Sequence, residues 1–228
     1  MTGYVMPQRL PENGAPFLSS WSGGKDSCLA FHLAAQAGRP AALLTMFGGD
    51  GARSRSHGLR PELLQAQANA LGLPLHTGRA GWEDYEAVFL EELSKLRGAG
   101  VATAVFGDID LEPHREWEEK VCGASGIACC LPLWKEPRRA LLEQFLGLGY
   151  RAIIVAAKEG RLDPSVLGRD LDAAAIAEIE AQGCDACGEE GEYHTLVVDG
   201  PLFRAPIRVK PGERSLHSGY WFLDLALG

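Results

Sequence analysis

No apolar run in these 228 residues approaches the ~20 that a membrane-spanning helix needs. The opening stretch, MTGYVMPQRLPENGAPF, has neither the basic start nor the apolar segment of a secretory leader, so a cytoplasmic location is expected. Basic residues are in deficit. Lys and Arg number 22 against 30 Asp and Glu, and a net charge of −8 argues against broad, sequence-independent binding to nucleic acid. Cysteine is not organised as a disulfide framework: Cys28, Cys122, Cys129, Cys130, Cys184 and Cys187 are expected to be reduced and mostly buried. Cys184 and Cys187 form one C-x-x-C. A structural zinc site needs four ligands, and adjacent Cys129 and Cys130 on a strand point to opposite faces. Internal repeats and low-complexity segments are missing too. So are two familiar phosphate motifs. G-x-G-x-x-G does not occur at the first glycine turn, and a Walker A loop fails because Ser19 stands five before Gly24 and Asp26 follows Lys25.

What is present is an ordinary globular composition, 46% hydrophobic, in which strand-like runs alternate with helical ones. APFLSSW reads as a strand and residues 25–37 as a helix, with Leu29, Leu33 and Ala37 spaced by one turn. AALLTMF (41–47) is the near-continuous apolar run of a strand covered on both faces. Then follow a helix from Pro61, a strand at LPLHTG, a helix in WEDYEAVFLEELSKLRGAG, a strand at 101–109, a helix in EPHREWEEKVCGASG and a strand at IACCLPLW. This order predicts an α/β protein with an open, mostly parallel sheet and helices on both faces. After Trp134 come one more helix and strand, the helix DLDAAAIAEIEAQG, and strands at EYHTLVVDGP, FRAPIRVK (203–210) and HSGYWFLDLAL (217–227). That change predicts two domains, 1–132 and 133–228, the second a smaller mixed α+β unit. The Trp and Tyr of the last strand suit either a core or a homodimer contact.

Chemistry concentrates in a few strings. In SGGKDS, residues 22–27, Gly23 and Gly24 let backbone N–H groups approach an anion, and the following helix adds the positive end of its dipole. Lys25 supplies a full charge, and the Ser22 and Ser27 hydroxyls are further donors. A carboxylate here, Asp26, makes electrostatic sense with Mg²⁺ bridging it to phosphate. VFGDID ends a buried strand in Gly107 and two acids, Asp108 and Asp110. DACGEEGEYHTLVVDGPLF (185–203) packs Glu189, Glu190, Glu192 and His194 around two glycines, more acid than a turn requires. Clustered carboxylates face a cation, an amine or solvent.

SGGKDS matches, at all six positions, the loop of the PP-loop ATP pyrophosphatases. With GDI, PLW and a following LL, LGR at 167–169 and CGEEGEYHT, the chain from about Phe17 to Phe203 resembles the diphthine–ammonia ligase family. That resemblance implies an adenine-nucleotide α-hydrolase-like, Rossmann-like fold. It also implies ATP-dependent amidation of a carboxylate by ammonia through an acyl-adenylate, with release of AMP and pyrophosphate. By the same resemblance Ser22, Gly23, Gly24, Lys25, Asp26 and Ser27 hold ATP phosphates, Asp26 together with Mg²⁺. His57, in SRSHG, and Gly107 belong to the nucleotide site, and Thr45, Met46 and Phe47 border adenine through their backbone. Asp108, Glu189, Glu192 and His194 handle acceptor and ammonia. The family's acceptor is diphthine on an elongation factor, whose quaternary ammonium would suit Glu189, Glu192, Tyr193 and Trp134. The wording of SRSHG and HREWEE resembles a bacterial-type branch, for which the acceptor would be a small-molecule carboxylate. Two other readings are a tRNA-thiolating PP-loop enzyme and a sensor that binds ATP or AMP without turnover.

Overall fold

A computed structural model describes residues 9–228. They pack as two compact units. The first comprises the chain up to Trp21, Asp26–Gly49 and Leu73–Glu136; the second comprises Ser22–Lys25, Asp50–Gly72 and Pro137–Gly228. Residues 22–25 of the SGGKDS loop therefore group with the second unit, and Asp26 and Ser27 with the first.

The first unit is a parallel five-stranded sheet. β1 (Pro16–Ser20), β2 (Arg39–Phe47), β3 (Leu75–Arg79), β4 (Thr103–Val105) and β5 (Ala128–Cys130) stand in the order β3-β2-β1-β4-β5. Three of its helices are α1 (Lys25–Ala34), α3 (Tyr85–Gly98) and α4 (Glu112–Ser125). Alternation along β1 divides the packing. Phe17 meets Phe31 of α1 edge-on at 5.8 Å, while Leu18 joins the cluster of Leu44, Met46, Phe89, Leu93, Val121 and Trp134. Both faces are thus buried, and the apolar runs read as continuous for that reason. Chain order reverses between β1 and β4, so the loops following these two strands leave in opposite directions, the place where open α/β sheets take ligands.

The second unit carries an antiparallel sheet of β6 (Arg151–Lys158), β7 (Tyr193–Asp199), β8 (Val209–His217) and β9 (Tyr220–Leu227), ordered β7-β6-β9-β8. With it are α2 (Pro61–Leu71), α5 (Arg138–Gly147), a short 3-10 turn at Pro164–Val166 and α6 (Ala173–Ala181). Asp172 caps α6, its carboxylate accepting from Ala175 N–H at 2.8 Å.

The fold class follows the sequence expectation, and several boundaries are corrected. α1 ends at Ala34 rather than residue 37. β4 and β5 are three residues each, because Gly107 ends one and Pro132 removes a ladder donor after the other. LPLW is instead a turn, closed by Trp134 N–H to Leu131 C=O at 3.2 Å. The largest difference is at the end of the chain. FRAPIRVK is not a strand before Val209, and HSGYWFLDLAL is a turn and then β9. β8 occupies VKPGERSLH, exposed along nearly its whole length, with a register shift between Pro211 and Arg214. Pro, Gly and charge make that segment a poor strand former; pairing with β9 imposes the conformation on a sheet edge, where Pro and charge are tolerated.

Candidate active site

In the second unit the glycine turn is bound to β7. Val197 N–H donates to Gly23 C=O at 2.9 Å, and the buried Gln67 amide donates to the same carbonyl at 2.9 Å and to Val197 C=O at 2.7 Å. Lys25 N–H donates to Thr195 Oγ1 at 3.1 Å. Gly23 takes φ +85°, as a glycine turn predicts. Gly24 is required for space. A Cβ there would lie 2.1 Å from His57 Cε1 and 3.2 Å from the Thr195 carbonyl oxygen.

Around this turn the fold gathers Lys25, His57, Glu189 and His194. Lys25 is 6% exposed; its Nζ sits 3.7 Å from Glu189 Oε1 and 5.6 Å from the centre of the Tyr193 ring. His57 Nδ1 is 2.9 Å from Thr195 C=O, an acceptor only, so Nδ1 carries the proton and Nε2 the lone pair. The His57 and His194 rings stack at 4.7 Å, and His194 stacks on Tyr220 at 5.7 Å. Burial, with a smaller push from Lys25, lowers His57 to about 4 despite its bond to Thr195. Burial also takes His194 well below the ordinary histidine range, helped by His57 and Lys25. Both imidazoles are neutral beside the Lys25 ammonium, weakly basic, and suited to accept hydrogen bonds and to pack.

That neutrality makes stability pH-dependent. Between pH 6.5 and about 4 the unfolded chain binds protons that folded His57 refuses, so stability is unaffected by this group above pH 6.5 and falls progressively as pH drops from 6.5 to about 4. The loss amounts to about 3 kcal/mol over that window, with His194 acting in the same direction. Urea unfolding at pH 7 and pH 5 is expected to show a lower midpoint at pH 5, and His57→Gln is expected to shrink the difference. Equal shifts in the two proteins would contradict this assignment.

The acidic string divides into separate roles. Asp185 accepts from Cys187 N–H at 3.2 Å and Glu189 N–H at 3.1 Å, and Arg138 holds it at 3.0 Å. Glu192 is fully buried, its two oxygens accepting from Asp185 N–H and Glu190 N–H at 3.0 Å each. Glu190 is exposed and faces Arg161 at 3.6 Å. Only Glu189 of these acids points to Lys25. Glu192, expected among the ligand-handling residues, is instead closed off from solvent and holds one backbone N–H on each oxygen. Glu192→Gln opposes an amide NH₂ to a backbone N–H, and unfolding should show a loss of about 1–3 kcal/mol; an unchanged midpoint would return Glu192 to the ligand-binding candidates. Trp134, expected beside a quaternary ammonium, is fully buried in the first unit and exposes no surface to one, with Lys135 Nζ 4.7 Å from its ring centre. Tyr193, 3% exposed, donates its hydroxyl to Ala186 C=O at 2.6 Å.

In the first unit Gly107 lies against the start of α1. A Cβ on it would be 2.8 Å from Ser27 N and 2.9 Å from Asp26 C, so the GDI string and the second half of the SGGKDS string are brought together by that glycine. Asp108 follows directly. Lys135 N–H donates to Ile109 C=O at 2.6 Å and ties the PLW turn to the same loop. Thr45 Oγ1–H donates to Trp21 C=O at 2.6 Å, and Thr45, Met46 and Phe47 are all buried at the end of β2. Asp26 is half-buried in the first turn of α1, and Ser27 is buried.

Sequence reasoning missed the roles of Thr195 and Gln67, two side chains that hold the glycine turn. Gln67 carried a signal: it falls on the buried Leu63, Leu64, Ala68 stripe of α2, where a polar residue needs a partner. Thr195 carried one as well, as the last residue of the CGEEGEYHT string.

The family described as diphthamide synthase N-terminal domain matches residues 17–129, and that described as diphthamide synthase C-terminal domain matches residues 137–227. The diphthine–ammonia ligases of Homo sapiens and Bos taurus are each 30% identical over 231 residues, covering 90% of this chain and 86% of theirs. That of Schizosaccharomyces pombe is 26% identical over 86% of this chain, which spans 36% of the longer yeast protein. A solved chain from Methanocaldococcus jannaschii DSM, described as a predicted subunit of tRNA methyltransferase, is 18% identical with a TM-score of 0.44, over 81% of this chain and 97% of that one. With both domain descriptions matched along nearly its whole length, the chain belongs to the diphthine–ammonia ligase family and is a ligase.

Proposed function

We propose that the protein uses ATP to join ammonia to a carboxylate, with diphthine on an elongation factor as the acceptor its relatives' name specifies and a small-molecule carboxylate as the alternative. The observation that supports this most is the SGGKDS turn with its nearly buried Lys25 beside Glu189.

Ser22 to Ser27 hold the phosphates. A carboxylate oxygen of the acceptor attacks the α-phosphorus, the bond to the β-phosphate breaks, and pyrophosphate leaves with the charge that Lys25 and the α1 amides stabilise. Ammonia then attacks the acyl carbon, AMP departs, and nitrogen loses a proton to give the amide. Asp26 carries the carboxylate of the turn, an oxygen donor of the kind Mg²⁺ favours, and the ion when bound would neutralise phosphate charge. Thr45, Met46 and Phe47 border adenine through backbone. Glu189 is the carboxylate placed to meet a cationic acceptor group. His57 and His194, both neutral, form a hydrogen-bonding aromatic wall instead of a base for ammonium.

The test is product analysis. With α-labelled ATP, Mg²⁺, ammonium and either diphthine-bearing elongation factor or a panel of carboxylates, AMP and pyrophosphate are expected only when acceptor and ammonium are both present. ADP would reject cleavage between the α- and β-phosphates. AMP formed only with tRNA and a sulfur donor would move the protein to the thiolating enzymes, and binding without turnover would make it a sensor.

A further inference from the structure

Asp108 is approached from one side of α4 by two residues one turn apart, His114 and Glu118. His114 Nδ1 stands 2.7 Å from Asp108 Oδ1, and the Glu118 carboxyl faces the same carboxyl group. The two acids differ in surroundings. The Asp108 side chain keeps 27% of its surface exposed, whereas Glu118 is 4% exposed and its Oε2 is buried with no hydrogen-bond partner.

Two carboxyl groups set against each other do not both ionise, so the pair keeps a proton. The orphaned oxygen tells which group holds it. Ionised, Glu118 would carry charge on a buried oxygen that meets no donor; protonated, it leaves only a neutral carbonyl oxygen there. Burial raises Glu118 well above the usual carboxylate range, and Asp108 raises it further. Burial also pushes Asp108 up, but the bonds from His114 and Glu118 outweigh it and leave Asp108 below its ordinary value. The other groups facing the pair are Glu119 on α4, engaged by Arg115 at 2.9 Å, and Cys129 on β5, whose thiol is pushed up by Cys122 and burial.

We propose that Glu118 is a positioning residue: it carries the proton of the Asp108–Glu118 pair and thereby fixes Asp108 as an oriented anion just beyond the carboxyl end of β4, presented to a cationic nitrogen. The identity of that nitrogen, the ammonium consumed in amidation, rests on the reading above; the proton's place does not.

Two measurements test this. Carboxyl ¹³C NMR of protein labelled at Asp and Glu side chains should show a neutral-acid resonance at pH 7 that disappears in Glu118→Gln, and an ionised one that disappears in Asp108→Asn. In turnover with ammonium, Glu118→Ala should lower kcat about tenfold or more with KM for ATP unchanged, and Glu118→Gln, a permanent donor, should restore most of that rate. The wild-type rate should fall at alkaline pH as the pair loses its shared proton, and Glu118→Gln should lack that fall. An ionised Glu118 at pH 7 overturns the proposal, as does a Gln variant whose profile matches the wild type. Failure of the wild type to form AMP would overturn the amidation reading while leaving the NMR result decisive for the pair.

Discussion

Gly24→Ala is expected to lose about 10²-fold in kcat/KM for ATP and about 1–3 kcal/mol of stability. The added carbon would sit 2.1 Å from His57 Cε1 and 2.8 Å from its Nδ1. His57 has no easy retreat, since it donates to Thr195 C=O and is stacked on His194. Either the ring leaves its bond or the turn leaves β7, and both displace the amides proposed to bind phosphate. Pairing the change with His57→Ala opens the space and should recover stability though not full activity. Steady-state kinetics and urea unfolding of the single and paired variants check this; a single variant that binds ATP normally would show that the turn is not held as described.

Lys25→Met keeps the length of the side chain and removes its charge. On the proposed mechanism Lys25 is the charge that stabilises the departing pyrophosphate, so kcat/KM for ATP should fall about 10²–10³-fold. Stability should change little by comparison. A nearly buried ammonium is costly to desolvate, which offsets the loss of its contact with Glu189. A second readout is independent of turnover. Lys25 helps depress both His57 and His194, so imidazole NMR titrations in Lys25→Met should move upward. Unmoved titrations would separate Lys25 from the histidine pair, and an unchanged kcat/KM would remove it from catalysis.

The glycine turn of SGGKDS was legible because two glycines stand between a buried strand and a helix start, and Gly23 takes φ +85°. The parallel sheet was legible because strands buried on both faces read as apolar runs. β8 was not, since VKPGERSLH has no strand propensity of its own and takes its conformation from β9. The acids of DACGEEGEYHT were read correctly as unusual, but composition does not reveal that Asp185 and Glu192 spend their oxygens on backbone N–H groups. Glu118 was invisible for the opposite reason. Within HREWEEK it looks like one more solvated charge, and only tertiary packing buries it against Asp108.

The nucleotide's place decides most. A crystal structure with ATP whose α–β bridging oxygen is replaced by methylene should place the β- and γ-phosphates within hydrogen-bonding distance of the backbone amides between Gly23 and Ser27 and of Lys25 Nζ. A nucleotide bound elsewhere, with that turn still closed on Thr195 and Lys25 still facing Glu189, would contradict it.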